Sequence, residues 1–104
     1  MMGKPLALVT GGATGIGAAC CRALAAEGFR VGIHYRSSAQ KAQKLLEEIQ
    51  EGFLLQADLS QIEQVDAMIE KIKGAAGRVD VLVNNAGFSI NADIISMKAE
   101  QFDA

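Results

Sequence analysis

Apolar and polar positions alternate along this chain in two rhythms. Leu6–Thr10 (LALVT) is a short, nearly continuous apolar run and predicts a strand buried on both faces. Residues 15–27 are small or helix-favouring, with Ile16, Cys20, Ala23 and Leu24 on one helical face, before Gly28 ends the element. Residues 29–35 (FRVGIHY) predict a second strand. Ser37 or Ser38 can cap the next helix, in which Ala42, Leu45, Leu46 and Ile49 fall at helical spacing up to a stop near Gly52. Residues 53–59 (FLLQADL) predict a third strand, and Ser60 with Glu63 has the spacing of a capping box. Ile62, Val65, Ile69, Ile72 and Ala76 then recur at intervals of three and four, the clearest amphipathic stripe in the chain, closed by Gly74 and Gly77. Residues 79–87 (VDVLVNNAG) open as a fourth buried strand and end in a polar turn. Residues 88–104 predict a loop and the beginning of another helix.

Strand and helix alternate throughout. Parallel strands need such crossovers, which are right-handed, so the pattern predicts an α/β fold with a mostly parallel sheet and helices on both faces. With 104 residues the chain has room for one small domain. No linker, internal repeat or low-complexity segment interrupts it.

Composition narrows the function classes. Half of the residues are hydrophobic and 21% are charged, as in an ordinary globular domain. Net charge is −2 with the two signs interspersed, which gives no electrostatic case for nucleic acid or an anionic membrane as partner. No apolar run approaches the roughly 18 residues of a membrane span. The N-terminal apolar stretch is too short for a signal peptide, so a cytoplasmic protein is expected. Cys20 and Cys21 are adjacent, about 100° apart on a helix and poorly placed to bridge each other. They are expected to be small packing residues in a reducing compartment, and with one histidine and no CxxC no metal site is expected.

The candidate chemistry begins at the first strand-to-helix turn, VTGGATGIG (residues 9–17). Gly11 or Gly12 can take positive φ where the chain leaves the sheet. A position without Cβ lets the backbone approach a pyrophosphate closely, and Gly17 lets the helix pack tightly on the strands. The helix N-terminus offers free N–H groups and a partial positive charge to phosphates. The spacing is T-G-x-x-x-G-x-G, which differs from G-x-G-x-x-G, and no Lys-Ser or Lys-Thr follows as a Walker A loop requires. A glycine-rich turn serving only the fold is the plain alternative. Against it stands a second polar turn, NNAG, at the end of the fourth strand. In a doubly wound sheet of order 3-2-1-4, strands one and four are neighbours, and their C-terminal ends flank the switch point where such folds bind ligands.

TGGATGIG, then ADL after the third strand, then DVLVNNAG resemble the short-chain dehydrogenase/reductase family, in that order and spacing and over essentially the whole chain. The flavour is similar to the 3-oxoacyl-carrier-protein reductases and to related sugar or alcohol dehydrogenases. The resemblance implies a Rossmann-type, doubly wound parallel sheet of order 3-2-1-4. It also implies an incomplete one, in which residues 1–104 form the NADP-binding half-domain of a truncated enzyme lacking the C-terminal strands and the catalytic segment. By the same resemblance, residues 11–17, with Gly11, Gly12, Thr14, Gly15, Ile16 and Gly17, would wrap the pyrophosphate and adenosine ribose. Arg36 would stand at the ribose 2′ position. Asp58 would accept from the adenine amino group with Leu59 beside the ring. Asn85, Ala86 and Gly87 would border the nicotinamide ribose, while Asn84 ties strand ends together.

NADP is the expected cofactor in preference to NAD. NAD recognition usually needs a carboxylate near the end of strand two, and here that stretch reads HYRSS, without an acid. Arg36 can pair with a 2′-phosphate and Ser37 can add a hydroxyl contact. One departure counts the other way: many NADP-dependent members carry a basic residue inside the glycine loop, where this chain has Thr14. His34 reads as a strand or cleft-rim residue, since no partner for general-base work is evident.

The family's chemistry uses a tyrosine with a lysine four residues later, an upstream serine and an asparagine on an earlier helix. The only tyrosine here is Tyr35, and four residues on is Ala39. Ser89 and Ser96 fall at the wrong place and read as loop residues or caps. No residue of the chain is therefore assigned catalysis. The expected whole enzyme interconverts a small carbonyl and its alcohol and forms a homo-oligomer. The fragment is expected to be inactive alone, and an apolar fourth strand left at the sheet edge should make it prone to self-associate. A non-catalytic dinucleotide-binding or sensing module is the alternative. A nucleotide-sugar epimerase or similar enzyme with bound NAD fits less well, because those tend toward T-G-x-x-G-x-x-G.

Overall fold

The computed structural model describes residues 4–85. Four strands and three helices follow one another as β1 (Leu6–Thr10), α1 (Gly15–Ala26), β2 (Arg30–Tyr35), α2 (Ala39–Ile49), β3 (Gly52–Gln56), α3 (Ile62–Ala75) and β4 (Val81–Asn84). All pairings are parallel and the sheet order is β3-β2-β1-β4. The expected order 3-2-1-4 is therefore the observed one. The expected helix at the end of the chain, and Ser89 and Ser96, lie outside the described residues.

The apolar run of β1 explains its central place. All five of its residues are buried, because β2 and β4 flank it and helices cover both faces. Alternate side chains feed two cores, as the two-residue period of a strand requires. Leu6 and Leu8 join Leu55, Val65, Met68, Ile69 and Ile72 beneath α3. Val9 joins Val31, Ile33, Cys21, Ala42 and Leu45 beneath α1 and α2.

Two local expectations give way to packing. The buried face of α1 is Gly17, Ala18 and Cys21, whereas Ile16 and Ala23 are exposed and Cys20 and Leu24 half-buried. The helix meets the sheet through Gly17, Ala18 and Cys21, with Cys20 and Leu24 of the expected stripe packed at the margin of that core and Ile16 and Ala23 turned outward. The capping box does not form either. α3 starts at Ile62 with Gln61 as cap, and the Ser60 hydroxyl instead donates to Asp58 Oδ1 at 2.7 Å. The third strand is also shorter than its apolar pattern, ending at Gln56, so that residues 57–59 form a loop over the sheet edge. The α3 stripe keeps Val65, Ile69 and Ile72 in the core and adds Met68, while Ile62 is left half exposed.

Candidate functional site

The C-terminal ends of all four strands point to one edge of the sheet, and the turns leaving them form the site. In a parallel sheet this is the edge where the order reverses, here between β1 and β4.

The β1–α1 turn is shaped by its glycines. Gly11 has φ 61° and Gly15 φ 54°, the left-handed region that L side chains rarely adopt. Gly17 needs no unusual φ but lies against backbone. A Cβ there would collide with the Gly11 carbonyl oxygen and sit 2.7 Å from Asn85 Nδ2. Thr14 caps α1 from an extended conformation, with no side-chain bond to the helix, and is exposed. The first turn of α1 thus has no capping side chain over its amide groups, and a bound anion would be welcome there. Ile16, on that same turn, is 75% exposed.

The turn is tied to its neighbours from both sides. Thr10 is fully buried, and its hydroxyl donates to Asn84 Oδ1 at 3.0 Å while accepting from the Asn85 N–H at 2.9 Å. Asn85 Nδ2 donates to the Gly11 carbonyl at 3.2 Å. Asn84 and Asn85 therefore fasten β4 to the glycine turn. On the other side, the Gly11 N–H donates to His34 Nδ1 at 2.9 Å and the Gly12 N–H to the His34 carbonyl at 2.8 Å. His34 Nε2 lies 2.8 Å from the Ala57 carbonyl. His34 is 3% exposed and lies within β2, the strand position of the two expected for it, with a hydrogen-bond partner on each ring nitrogen. Burial holds its pKa below the ordinary histidine value, and the Ala57 bond opposes this in part.

Arg36 follows β2 with its side chain 71% exposed, and its guanidinium stands 3.5 Å from Asp58 Oδ2. The other Asp58 oxygen accepts from the Ser60 N–H at 3.0 Å and the Ser60 hydroxyl at 2.7 Å. These two bonds, and then Arg36, lower the Asp58 pKa below the usual aspartate value. The Asp58 N–H donates to Gln64 Oε1 at 2.7 Å, which fixes the loop on the first turn of α3. Leu59 is buried in the core beneath α3, so its side chain is committed to packing.

The structure thus brings Gly11, Gly12, Thr14, Gly15, Ile16, Gly17, Arg36, Asp58 and Asn85 to one edge of the sheet. Ala86 and Gly87 lie outside the described residues. The hydrogen-bonding roles of Thr10, which opens the T-G-x-x-x-G-x-G motif, and of His34 are what motif reading missed. The signal for both was position, each being a polar residue at or near the C-terminal end of an otherwise apolar strand. Cys20 and Cys21 are free thiols, and burial with the neighbouring Cys20 pushes Cys21 up to about 12. Among the described residues no three His, Cys, Asp or Glu side chains converge as a metal site, and no helix is long and apolar enough to cross a membrane.

A family model described as short chain dehydrogenase matches residues 5–104. The 3-oxoacyl-[acyl-carrier-protein] reductase FabG of Staphylococcus aureus is 39% identical over 101 residues, covering 93% of this chain and 41% of that protein. The short-chain dehydrogenase/reductase homolog YusS of Bacillus subtilis is 39% identical over 102 residues, covering 94% of each chain. Among solved structures, acetoin dehydrogenase YohF from Salmonella typhimurium superposes with a TM-score of 0.85 at 30% identity, covering 95% of this chain and 52% of that one. The chain thus spans about two-fifths of the length of the FabG proteins it matches.

Proposed function

Because this chain belongs to the short-chain dehydrogenase family, we propose that it is the cofactor-binding part of an NADP(H)-dependent oxidoreductase that interconverts a carbonyl and an alcohol. The observation that carries this reading is the Gly17 contact. The N-terminus of α1 is brought so close to the Gly11 carbonyl that no Cβ fits, and no side chain caps its amide groups beside a turn of positive φ. Such an arrangement suits a pyrophosphate.

In this reading residues 11–17, with Thr14 and Ile16 at the rim, hold the pyrophosphate and the adjoining ribose. Asp58, kept ionised by Ser60, accepts from the adenine amino group, and Leu59 supports that loop from the core. Asn85, Ala86 and Gly87 border the second ribose. When bound, the dinucleotide supplies the hydride to the substrate carbon or removes it. The chain's own residues hold and orient it. The only tyrosine, Tyr35, has Ala39 four residues on, so this stretch contributes binding rather than proton transfer. In the whole protein the substrate would be a small carbonyl compound or alcohol, and the assembly a homo-oligomer. The free cysteines suit a reducing compartment such as the cytoplasm.

NADP is preferred because Arg36 is exposed, held by one long ion pair, and followed by Ser37 and Ser38 rather than an acid. A guanidinium on a 2′-phosphate is worth about 1.5–3 kcal/mol, roughly ten- to a hundredfold in affinity. Fluorescence titration with NADPH and NADH tests this. The expected result is tighter NADPH binding, with the preference lost in Arg36→Asp. Equal affinities, or tighter NADH, would remove Arg36 from the account.

A further inference from the structure

Apart from Thr10, His34 is the only polar side chain fully enclosed by the described residues, and binding of the dinucleotide by the groups above does not use it. It lies near the end of β2, beside β1 on one side and opposite Leu55 of β3 on the other. Its ring joins two segments that no strand pairing joins: the Gly11 turn after β1 and the Ala57 loop after β3. The hydrogen-bond directions fix its chemistry. Gly11 offers an N–H to Nδ1, so Nδ1 carries the lone pair; the proton is on Nε2, which donates to the Ala57 carbonyl.

We propose that His34 is a positioning residue for the dinucleotide site, its neutral Nε2–H ring setting the Gly11 peptide and the spacing between the glycine turn and the Asp58 loop. The inference rests on the reading of this edge as a dinucleotide site. Its physical basis is the Gly11 peptide. At φ 61° the Gly11 N–H points into the sheet edge, where His34 Nδ1 is its acceptor. The Gly11 carbonyl accepts from Asn85. With both ends pinned, the turn faces α1 in one orientation, the one that lets Gly17 close against it. The Ala57 bond carries the same constraint to the residue before Asp58. A ligand contacting both the turn and Asp58 therefore meets a spacing that the imidazole fixes together with two backbone bonds, Gly12 N–H to the His34 carbonyl at 2.8 Å and Ala57 N–H to the Tyr35 carbonyl at 3.1 Å.

Two substitutions separate the two nitrogens. His34→Asn keeps an acceptor near the Nδ1 position, and His34→Gln keeps a donor near the Nε2 position, while His34→Leu keeps neither. The measurements are NADPH affinity, thermal midpoint and amide exchange at Gly11. His34→Asn is expected to keep Gly11 protected and to lose about threefold in NADPH affinity, the share of the Ala57 bond. His34→Gln and His34→Leu are expected to lose about tenfold or more, with fast exchange at Gly11. The Gln variant should do so even where its thermal midpoint equals that of the Asn variant, which a merely structural role would not produce. Unchanged affinity and Gly11 protection in His34→Leu would overturn the proposal, as would losses that follow thermal stability alone. If the unsubstituted chain binds neither NADPH nor NADH, the proposed function fails first. Exchange at Gly11 then still decides whether the ring holds the turn.

Discussion

One methyl group at position 17 has nowhere to go. The Gly11 carbonyl and the Asn85 amide already occupy the space of a Cβ. Gly17→Ala must push α1 off the turn, at about 1–3 kcal/mol of overpacking strain. NADPH affinity should fall by about tenfold or more, while α3, which packs on the other face, keeps its protection. Native-like affinity in this variant would show that the close approach is not needed for binding. His34 is the chain's only histidine, so its titration can be read in isolation. Burial lowers its folded pKa, so on acidification the unfolded chain takes up a proton before the folded one does. Its contribution to stability is complete above the ordinary value of 6.5 and is lost as pH falls below it. The charges on the segments that meet at the ring, Arg36 and Asp58, pair with each other, and Asp58 stays ionised through this window. Thermal midpoints should therefore decline on acidification below about 6.5, and the slope there should flatten in His34→Asn. An equal slope in both proteins would assign the acid sensitivity elsewhere. At this scale the glycines were legible because their need is local, a positive φ or a missing Cβ. His34 and Thr10 were not, because their partners lie 23 residues or more away along the chain.

Elements were legible to the extent that their periodicity reports burial. The α3 stripe is the clearest case: Val65, Ile69 and Ile72 stand in the core where three-and-four spacing predicts them. Each such side chain contributes about 1.5–3 kcal/mol by burial, and Ile72→Ala should cost about 2–5 kcal/mol in chemical denaturation. A loss below 1 kcal/mol would mean that α3 is not held by this stripe. The span of α1 was legible but its buried face only in part, because Gly17 and Ala18 share that face with Cys21, and hydrophobic periodicity is blind to residues whose value is their smallness. The Ser60–Glu63 pair was misread for a different reason. A serine can serve a helix or a neighbouring carboxylate, and here Asp58 outcompetes the helix end.

For the whole molecule, alternation and right-handed crossovers predict a parallel sheet covered on both faces, while the order β3-β2-β1-β4 was legible only through the resemblance of the motifs to the short-chain dehydrogenase/reductase family. The same order leaves β4 at an edge among the described residues, with Val81, Leu82 and Val83 only half-buried. Exposed apolar edges recruit further strands. The isolated chain is therefore expected to self-associate with rising concentration in sedimentation velocity, and a monodisperse monomer would contradict this. The proposed dinucleotide site lies along the other dimension of the sheet, at the C-terminal ends of its strands. Titrating the isotope-labelled chain with NADPH while following each backbone amide by NMR locates the bound cofactor. The amides of residues 11–17, Arg36, Asp58 and Asn85 are expected to shift together along one saturating curve, while those at the opposite ends of the strands stay still. Shifts that saturate elsewhere, or none at any concentration, would contradict the proposed site.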